Sequence, residues 1–434
     1  MRGIHVTVSR DWTNWASTAT AKPATIAAPT DVDGIVADVR TAAERGQRLK
    51  VPGSGHSFTG IAAPESGLLD LSGFRVPPVI DTTTKRVTVG SSTTLRELNA
   101  VLDANGLALA NLGDIDAQTV AGATSTGTHG TGGALGGLAT FIRGLTLVDG
   151  EGVVHEIGED DPRLKAVALG LGALGVITTV TLQCVDAFAL VADERPMPLD
   201  QAVAEFDALA DQNDHVEFFW FPRAEQVLLK RNNRSGEAAP LSSFRRWLDD
   251  DFLSNSVFGA ACRLGRAVPA MVPAVTAVSA KALSQRTYRD ASHRVFCTPR
   301  RVRFVEMEYA VPREAFAEVF AALRAEASAR RIVFPVEVRV AAADDLWLST
   351  AHGRDSVYFA VHQFQGMPYR EYFDAIEAIM RAADGRPHWG KMHWRSAEDL
   401  ATTYPRFADF TALRDELDPA RVFSNSYLDR VLGV

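Results

Sequence analysis

The sequence predicts an α+β fold in two domains, the second built on a largely antiparallel sheet. Three observations carry that expectation. Two stretches dense in glycine and small hydroxyl residues punctuate a first half of short strands and helices. The composition then shifts near residues 185–195. Beyond the shift, runs of neighbouring strand-like segments are separated by single helices, the pattern of an antiparallel sheet with helices laid on it. The chain has 434 residues, 46% of them hydrophobic and 23% charged, the profile of a globular protein with a large core.

The elements follow in order. "DVDGIVADVRTAAERGQRL", from Asp31 to about Leu49, has an acidic start and apolar residues at helical spacing. "KVPGSGHSF" continues as a strand and a turn. "RVTVGSSTTLRELNAVLDANGLAL" gives a strand, a helix capped by Ser or Thr, and a glycine stop. The glycine-rich residues 113–138 come next, and "IRGLTLVDGEGVVHEI" reads as a hairpin with Asp149 and Gly150 in its turn. In the second half, "HVEFFWF" and "QVLLKRNNR" are strands, and residues 241–284 are helical. "VRFVEMEYAV" is a strand, "REAFAEVFAALRAEASARR" a helix, "FPVEVRV" and "SVYFAVHQF" strands, and "YREYFDAIEAIMRAADG" a helix.

Several classes of function are disfavoured. Net charge is −8 without a long Lys/Arg block, so nucleic acid is not the expected partner. "RRVRF" (300–304) and "RRIVF" (330–334) lead into strands and read as edges of the fold. Cys184, Cys262 and Cys297 are far apart and odd in number, which argues against a disulfide framework or a zinc knuckle and fits the cytoplasm. The N-terminal "MRGIHVTVSRDWTNW" lacks the apolar core of a signal peptide. "AVPAMVPAVTAVSAKAL" (267–283) is too short for a membrane span, contains prolines and ends near a lysine, so it reads as a packed helix.

Residues 170–175 spell G-x-G-x-x-G, yet a dinucleotide fingerprint needs a strand before it and a helix after it. Here the order is reversed, and the motif is rejected. The better signals are residues 53–60 and 122–137, where glycine and hydroxyl residues expose backbone N–H groups able to cradle phosphate. Either alone reads equally well as a surface turn. Together, each with a single histidine (His56 and His129), they point to a ligand.

Five ordered segments, "VPGSGHSFTGIA", "GDIDAQTVAGATSTGTHGTG", "LGALGVITTVTLQ", "FPVEVRV" and "RPHWGKMHW", together resemble the aldonolactone oxidase and alditol oxidase branch of the vanillyl-alcohol-oxidase-type flavoproteins. The resemblance runs over nearly the whole chain and is strongest to the L-gulono- and D-arabinono-1,4-lactone oxidoreductases. It implies a two-domain FAD-binding fold: an FAD domain over residues 15–187, an antiparallel-sheet substrate cap over 188–385, and a C-terminal segment, 386–434, returning to the flavin. It further implies covalent attachment of FAD through His56. The cofactor cradle would comprise Gly53, Ser54, Gly55, His56, Ser57, Gly113, Asp114, Thr119, Gly122, Thr126, Gly127, Thr128, His129, Gly130 and Ile177. Asp114 departs from the small residue usual in the family. Gly113 stands where small size would admit oxygen.

Strand alternation places Phe334, Val336, Val338 and Val340 on one face of "FPVEVRV" and Glu337 with Arg339 on the other. On the strand alone, the charged pair reads as a solvated face. His362, on the face of Tyr358, Ala360 and Phe364, reads as a core histidine, and Lys391 as a loop lysine. A zinc site from His388 and His393 lacks ligand spacing and is discarded; no metal is expected. The resemblance instead makes Glu337, Arg339, His362 and Lys391 the catalytic set. It implies FAD-dependent oxidation of an alcohol group of a sugar-1,4-lactone, with oxygen (giving hydrogen peroxide) or another acceptor. Oxidation of an alditol or another polyhydroxylated compound is the alternative, and a flavin-binding module without catalysis ranks last. The expected partners are the small polyhydroxylated substrate and the electron acceptor.

Overall fold

The computed structural model describes residues 11–282 and 285–434. The first ten residues, read above as lacking a signal peptide, and Leu283 and Ser284 lie outside it.

In the first half, the helix Val32–Glu44 begins where Asp31 accepts from the Gly34 N–H. It is shorter than expected, because the chain turns at Gly46 with φ +60° and enters the strand Leu49–Lys50. That strand and Thr25–Ala27 both pair in parallel with Gly67–Leu69. The helix Leu95–Ala104 opens on a reciprocal cap between Thr94 and Glu97. A five-stranded antiparallel sheet follows, in the order Val154–Gly158, Ile142–Val148, Val176–Gln183, Arg86–Gly90 and Val79–Asp81. Its first two strands are the hairpin read from sequence. Around the rejected glycine motif, the helix Leu164–Val167 precedes and the strand Val176–Gln183 follows, as the rejection required.

The second half centres on an eight-stranded sheet whose ladders are all antiparallel. Its order is Arg286–Ala291, Ala189–Pro198, Gln226–Ser235, His215–Trp220, Val336–Ala341, Ser356–Phe364, Phe304–Pro312 and Arg386–Pro387. One face carries Val216, Phe218, Trp220, Met307, Val336, Val338, Val340 and Phe359. It packs against Phe206, Phe316, Phe320 and Phe373 of the helices Leu199–Gln212, Phe316–Ala329 and Arg370–Ala382. Burying each of these large side chains stabilises the fold by about 1.5–3 kcal/mol. The opposite face is not solvated: its central strands are buried on both sides.

What covers that second face is the first half of the chain. Gly132 N–H donates to the Val340 carbonyl at 2.8 Å, and the Thr131 hydroxyl donates to the Val216 carbonyl. Residues 241–281 form a helical excursion beside the sheet edge, which includes Trp247–Val257, Phe258–Ala267 and Val272–Lys281. No helix among the described residues is long and apolar enough to cross a membrane.

Candidate active site

Two glycine-rich loops, far apart in sequence, meet at Thr119. A Cβ on Gly53 would lie 2.4 Å from Thr119 Oγ1, and one on Gly122 would lie 2.8 Å from the same atom. Only glycine permits this approach, which sets the backbone of 53–57 against the first turn of the helix Val120–Ser125. Thr119 caps that helix by accepting from Gly122 N–H at 3.2 Å. Gly55 at φ +70° and Gly127 at φ +81° turn the chain on either side. Gly53 and Ser54 remain exposed while their neighbours are half-buried. This backbone-lined concavity fits a pyrophosphate-bearing cofactor, which needs N–H donors without intervening side chains.

The remaining cradle candidates divide. Thr126 donates to the Gly122 carbonyl at 3.0 Å, and Thr128 accepts from Gln118 at 3.2 Å. Ile177 lies on a neighbouring strand, joined to the helix through Ser91, which donates to the Thr178 carbonyl and accepts from Ala121 N–H. Gly130 backs onto Asn111, 2.3 Å from where its Cβ would sit. Gly113 is buried, and its Cβ would come 3.0 Å from the His129 carbonyl. His129 does not offer a free ring: Nδ1 faces the Gly130 carbonyl at 2.8 Å and Nε2 faces Glu308 at 3.2 Å.

His56 is half-buried and stacks on Trp15, with ring centroids 5.8 Å apart. Its turn is held by the Trp15 N–H on the Gly55 carbonyl at 2.8 Å and by the Phe58 N–H on the Gly390 carbonyl at 2.7 Å. Burial, then the charge of Lys391, pushes the imidazole below its ordinary value. The neutral, nucleophilic ring is therefore favoured.

Glu337 and Arg339 are 7% and 8% exposed, so the solvated-face reading of their strand is wrong. Arg339 is the hub of a buried charge cluster. Nη2 donates to Asp114 at 2.6 Å, Nε donates to Glu217 at 2.8 Å, and Glu337 lies in contact with Nη2. Arg300 reaches the other Asp114 oxygen at 2.5 Å, and Lys230 reaches Glu217 at 2.6 Å. Burial works to raise Asp114, but Arg339, Arg300 and Lys230 outweigh it and hold the carboxyl well below the usual range. Glu337 moves the other way although it touches a cation. Burial raises it, Arg339 pulls it down, and the charges of Asp114 and Glu217 add to the rise. Its Oε1 is buried and accepts no hydrogen bond. A carboxyl kept neutral in this manner can donate as well as accept.

The second cluster lies along Phe304–Pro312, where Glu306 and Glu308 share a face. Glu306 contacts Lys391 Nζ at 2.5 Å and His362 Nε2 at 3.5 Å. His362 Nδ1 faces the Pro335 carbonyl at 3.0 Å. Lys391 Nζ also sits 5.0 Å from the centre of the Phe58 ring, beside the His56 turn. His388 lies with Glu308 and His129, their polar atoms within 4.8 Å of one another, and its Nδ1 accepts from the Gly390 N–H. His393 points elsewhere, to the Tyr427 hydroxyl at 2.8 Å.

Thus the structure brings Glu337, Arg339, His362 and Lys391 to one buried face of the sheet. It adds Glu217, Lys230, Arg300, Glu306 and Glu308, which the sequence reading left out, and Arg300 is no mere edge residue. A cavity of about 700 Å³, lined by Asp200, Asp207, Arg313, Phe320 and Arg324 among others, lies on the helix-covered side and shares none of these residues.

Comparisons with known proteins bear on the family and the fold. A family model described as D-arabinono-1,4-lactone oxidase matches residues 180–431, and one described as FAD binding domain matches residues 23–158. An L-gulono-1,4-lactone dehydrogenase of Mycobacterium tuberculosis is 42% identical over 97% of this chain and 99% of its own. An L-gulonolactone oxidase of Bos taurus is 32% identical, covering 96% and 97%. An alditol oxidase of a Streptomyces species is 34% identical, covering 97% and 98%. Among solved structures, a cholesterol oxidase from B. sterolicum superposes with a TM-score of 0.84 at 19% identity, covering 98% and 97%, a likeness of fold.

Proposed function

The chain belongs to the D-arabinono-1,4-lactone oxidase family and carries an FAD-binding domain, and from that premise we propose that it oxidises an alcohol carbon of a sugar-1,4-lactone at the buried charged face of its cap sheet. The observation that carries the reading is the convergence of Glu337, Arg339, His362 and Lys391 there, with Lys391 beside the His56 turn. FAD, when bound, supplies the acceptor for the hydride that leaves the carbinol carbon.

The chain's own residues do the rest. The backbone of 53–57 and 126–130 would hold the pyrophosphate, and His56, favoured as a neutral imidazole, would be the covalent tether. Neutral Glu337 would fix the substrate hydroxyls by donating and accepting. The ammonium of Lys391 and the guanidinium of Arg339 would stabilise negative charge developing on the substrate oxygen in a water-poor site. His362, its Nδ1–H held by the Pro335 carbonyl, would receive the hydroxyl proton at Nε2, where Glu306 stabilises the cation formed. Oxygen, giving hydrogen peroxide, or another acceptor would then take the electrons from the reduced flavin. The cytoplasm is the proposed compartment, and the three unpaired cysteines support a reducing setting.

Anaerobic mixing with a panel of aldono-1,4-lactones should bleach the flavin, and readmitted oxygen should restore the colour with release of peroxide. Bleaching by alditols alone would replace the lactone reading with the polyol one, to which the alditol oxidase relative lends weaker support than the lactone relatives lend the first. Acid precipitation should leave flavin on the peptide containing His56. Complete release of flavin into the supernatant would remove the tether and leave the reaction standing.

A further inference from the structure

The strand Phe304–Pro312 does more than complete the sheet. Its Glu306 and Glu308 project toward the two ends of the loop "HWGK", and its backbone grips the same loop. His388 N–H donates to the Glu308 carbonyl at 3.0 Å, and Met392 N–H donates to the Glu306 carbonyl at 2.9 Å. Lys391 therefore stands on a segment pinned on both sides. Its flexible four-carbon stem would still leave the ammonium free to wander. Glu306, only 5% exposed, removes that freedom by meeting Nζ at 2.5 Å.

We propose that Glu306 is a positioning residue of the lactone oxidation, holding the Lys391 ammonium beside the His56 turn and joining it through one carboxylate to His362. The proposal rests on the functional reading above, and it has Glu306 act through Lys391 and His362. The register supports it, because Glu306 is paired directly opposite His362. One carboxylate thus serves both a charge-stabilising and a proton-accepting group.

Around Lys391 stand Glu306 and Glu308 of one strand, Glu337 of the next but one, and His388 of its own loop. His56 and the Phe58 ring face it from the glycine-rich turn, and His362 lies across Glu306. Burial lowers Lys391, and Glu306 is the first of the carboxylates that overcome it, so the ammonium persists above its ordinary value. Removing that carboxylate must move the titration of Lys391 to lower pH.

Glu306→Gln keeps the shape and removes the charge, while Glu306→Asp keeps the charge on a shorter arm. The first measurement follows acylation of Lys391 against pH in the protein as purified, read by peptide mapping. The midpoint should fall in Glu306→Gln and return toward wild type in Glu306→Asp. The second is anaerobic flavin reduction, which should slow by about ten- to a hundredfold in Glu306→Gln, the scale of a misplaced catalytic group. Its basic limb should shift to lower pH. In a Lys391→Met background, Glu306→Gln should cost less than it does in the wild type, the remainder being its contact with His362.

Unchanged labelling midpoints, or losses that multiply in the double variant, would overturn the proposal. If Glu306→Gln does not fold, Glu306→Asp decides it: a labelling midpoint and basic limb identical to wild type count against a positioning role. If no lactone bleaches the wild type, the functional reading falls, and the labelling midpoints still decide whether Glu306 governs Lys391.

Discussion

Arg339 carries most of the electrostatic burden of the site at the scale of single residues. Three acidic side chains surround it, those of Asp114, Glu217 and Glu337, the first two at 2.6 and 2.8 Å. Truncating it to alanine leaves buried charge without its counterion, which costs about 3–5 kcal/mol. Arg339→Ala should therefore lose stability on that scale in denaturant titration. It should also slow anaerobic flavin reduction by about a hundredfold, as expected for loss of a preorganised donor. A solvated strand would show neither effect, so wild-type stability in the variant would mean that the cluster does not form. The sequence marks Glu337 and Arg339 but not their surroundings. Asp114 and Arg339 are 225 positions apart, and no periodicity encodes that meeting. A signal did exist in lone acids set within apolar strands, Glu217 in "HVEFFWF" and Glu306 with Glu308 in "VRFVEMEYAV". Where both faces of a strand are buried, such acids require partners.

Between elements, the rejected glycine motif finds its role in packing. Lys50, on the strand Leu49–Lys50, is buried and donates to the Gly172 carbonyl at 3.1 Å and the Phe423 carbonyl at 3.0 Å. It ties that loop to the C-terminal segment. Burial lowers its titration to about 7, against the opposing pull of Asp418 and Glu65. A neutral amine keeps two N–H groups, enough for both carbonyls. The linkage follows: between about 7 and 10.5, the unfolded chain binds a proton that the folded chain does not. Stability should then rise with pH across that window, by at most about 1.4 kcal/mol per pH unit. Denaturant titrations at pH 7 and 9 should show this rise in wild type, and Lys50→Met should lack it. Equal slopes in the two proteins would mean that Lys50 folds as a cation. Element order was legible here because a short helix precedes the glycines and a β-branched strand follows. The apolar spacing from Asp31 predicts a longer helix than forms, because it continues past the point where Gly46 turns the chain.

Across the whole molecule, the candidate site lies where the N-terminal half and the C-terminal segment are laced together. The C-terminal segment reaches the N-terminal half through Leu49 N–H on the Val422 carbonyl and through the Arg48–Asp429 ion pair at 2.6 Å. Asn425 is the central knot. Fully buried, its Nδ2 donates to the carbonyls of Gly60, Ile61 and Ala63 at 2.9, 3.2 and 3.1 Å. Its Oδ1 accepts from Leu428 N–H at 3.0 Å and caps the helix Ser426–Leu432. The carbonyls it satisfies lie directly after the turn that carries His56, so Asn425 fixes the exit of the proposed flavin tether from a position 365 residues away. Asn425→Ala should cost about 2–4 kcal/mol, combining the lost cap with an unpaired Ile61 carbonyl, since the Gly60 and Ala63 carbonyls still accept from the Ala63 and Glu65 N–H groups. It should also lower the fraction of polypeptide that retains flavin after acid precipitation. Asn425→Ser separates the two contributions, because a serine can cap the helix but is too short to reach the three carbonyls. It should recover only the cap, about 1 kcal/mol, and leave flavin retention low. If Asn425→Ser restores retention completely, the C-terminal helix alone orders the turn. If Asn425→Ala matches wild type in both measurements, the lacing does not support the site.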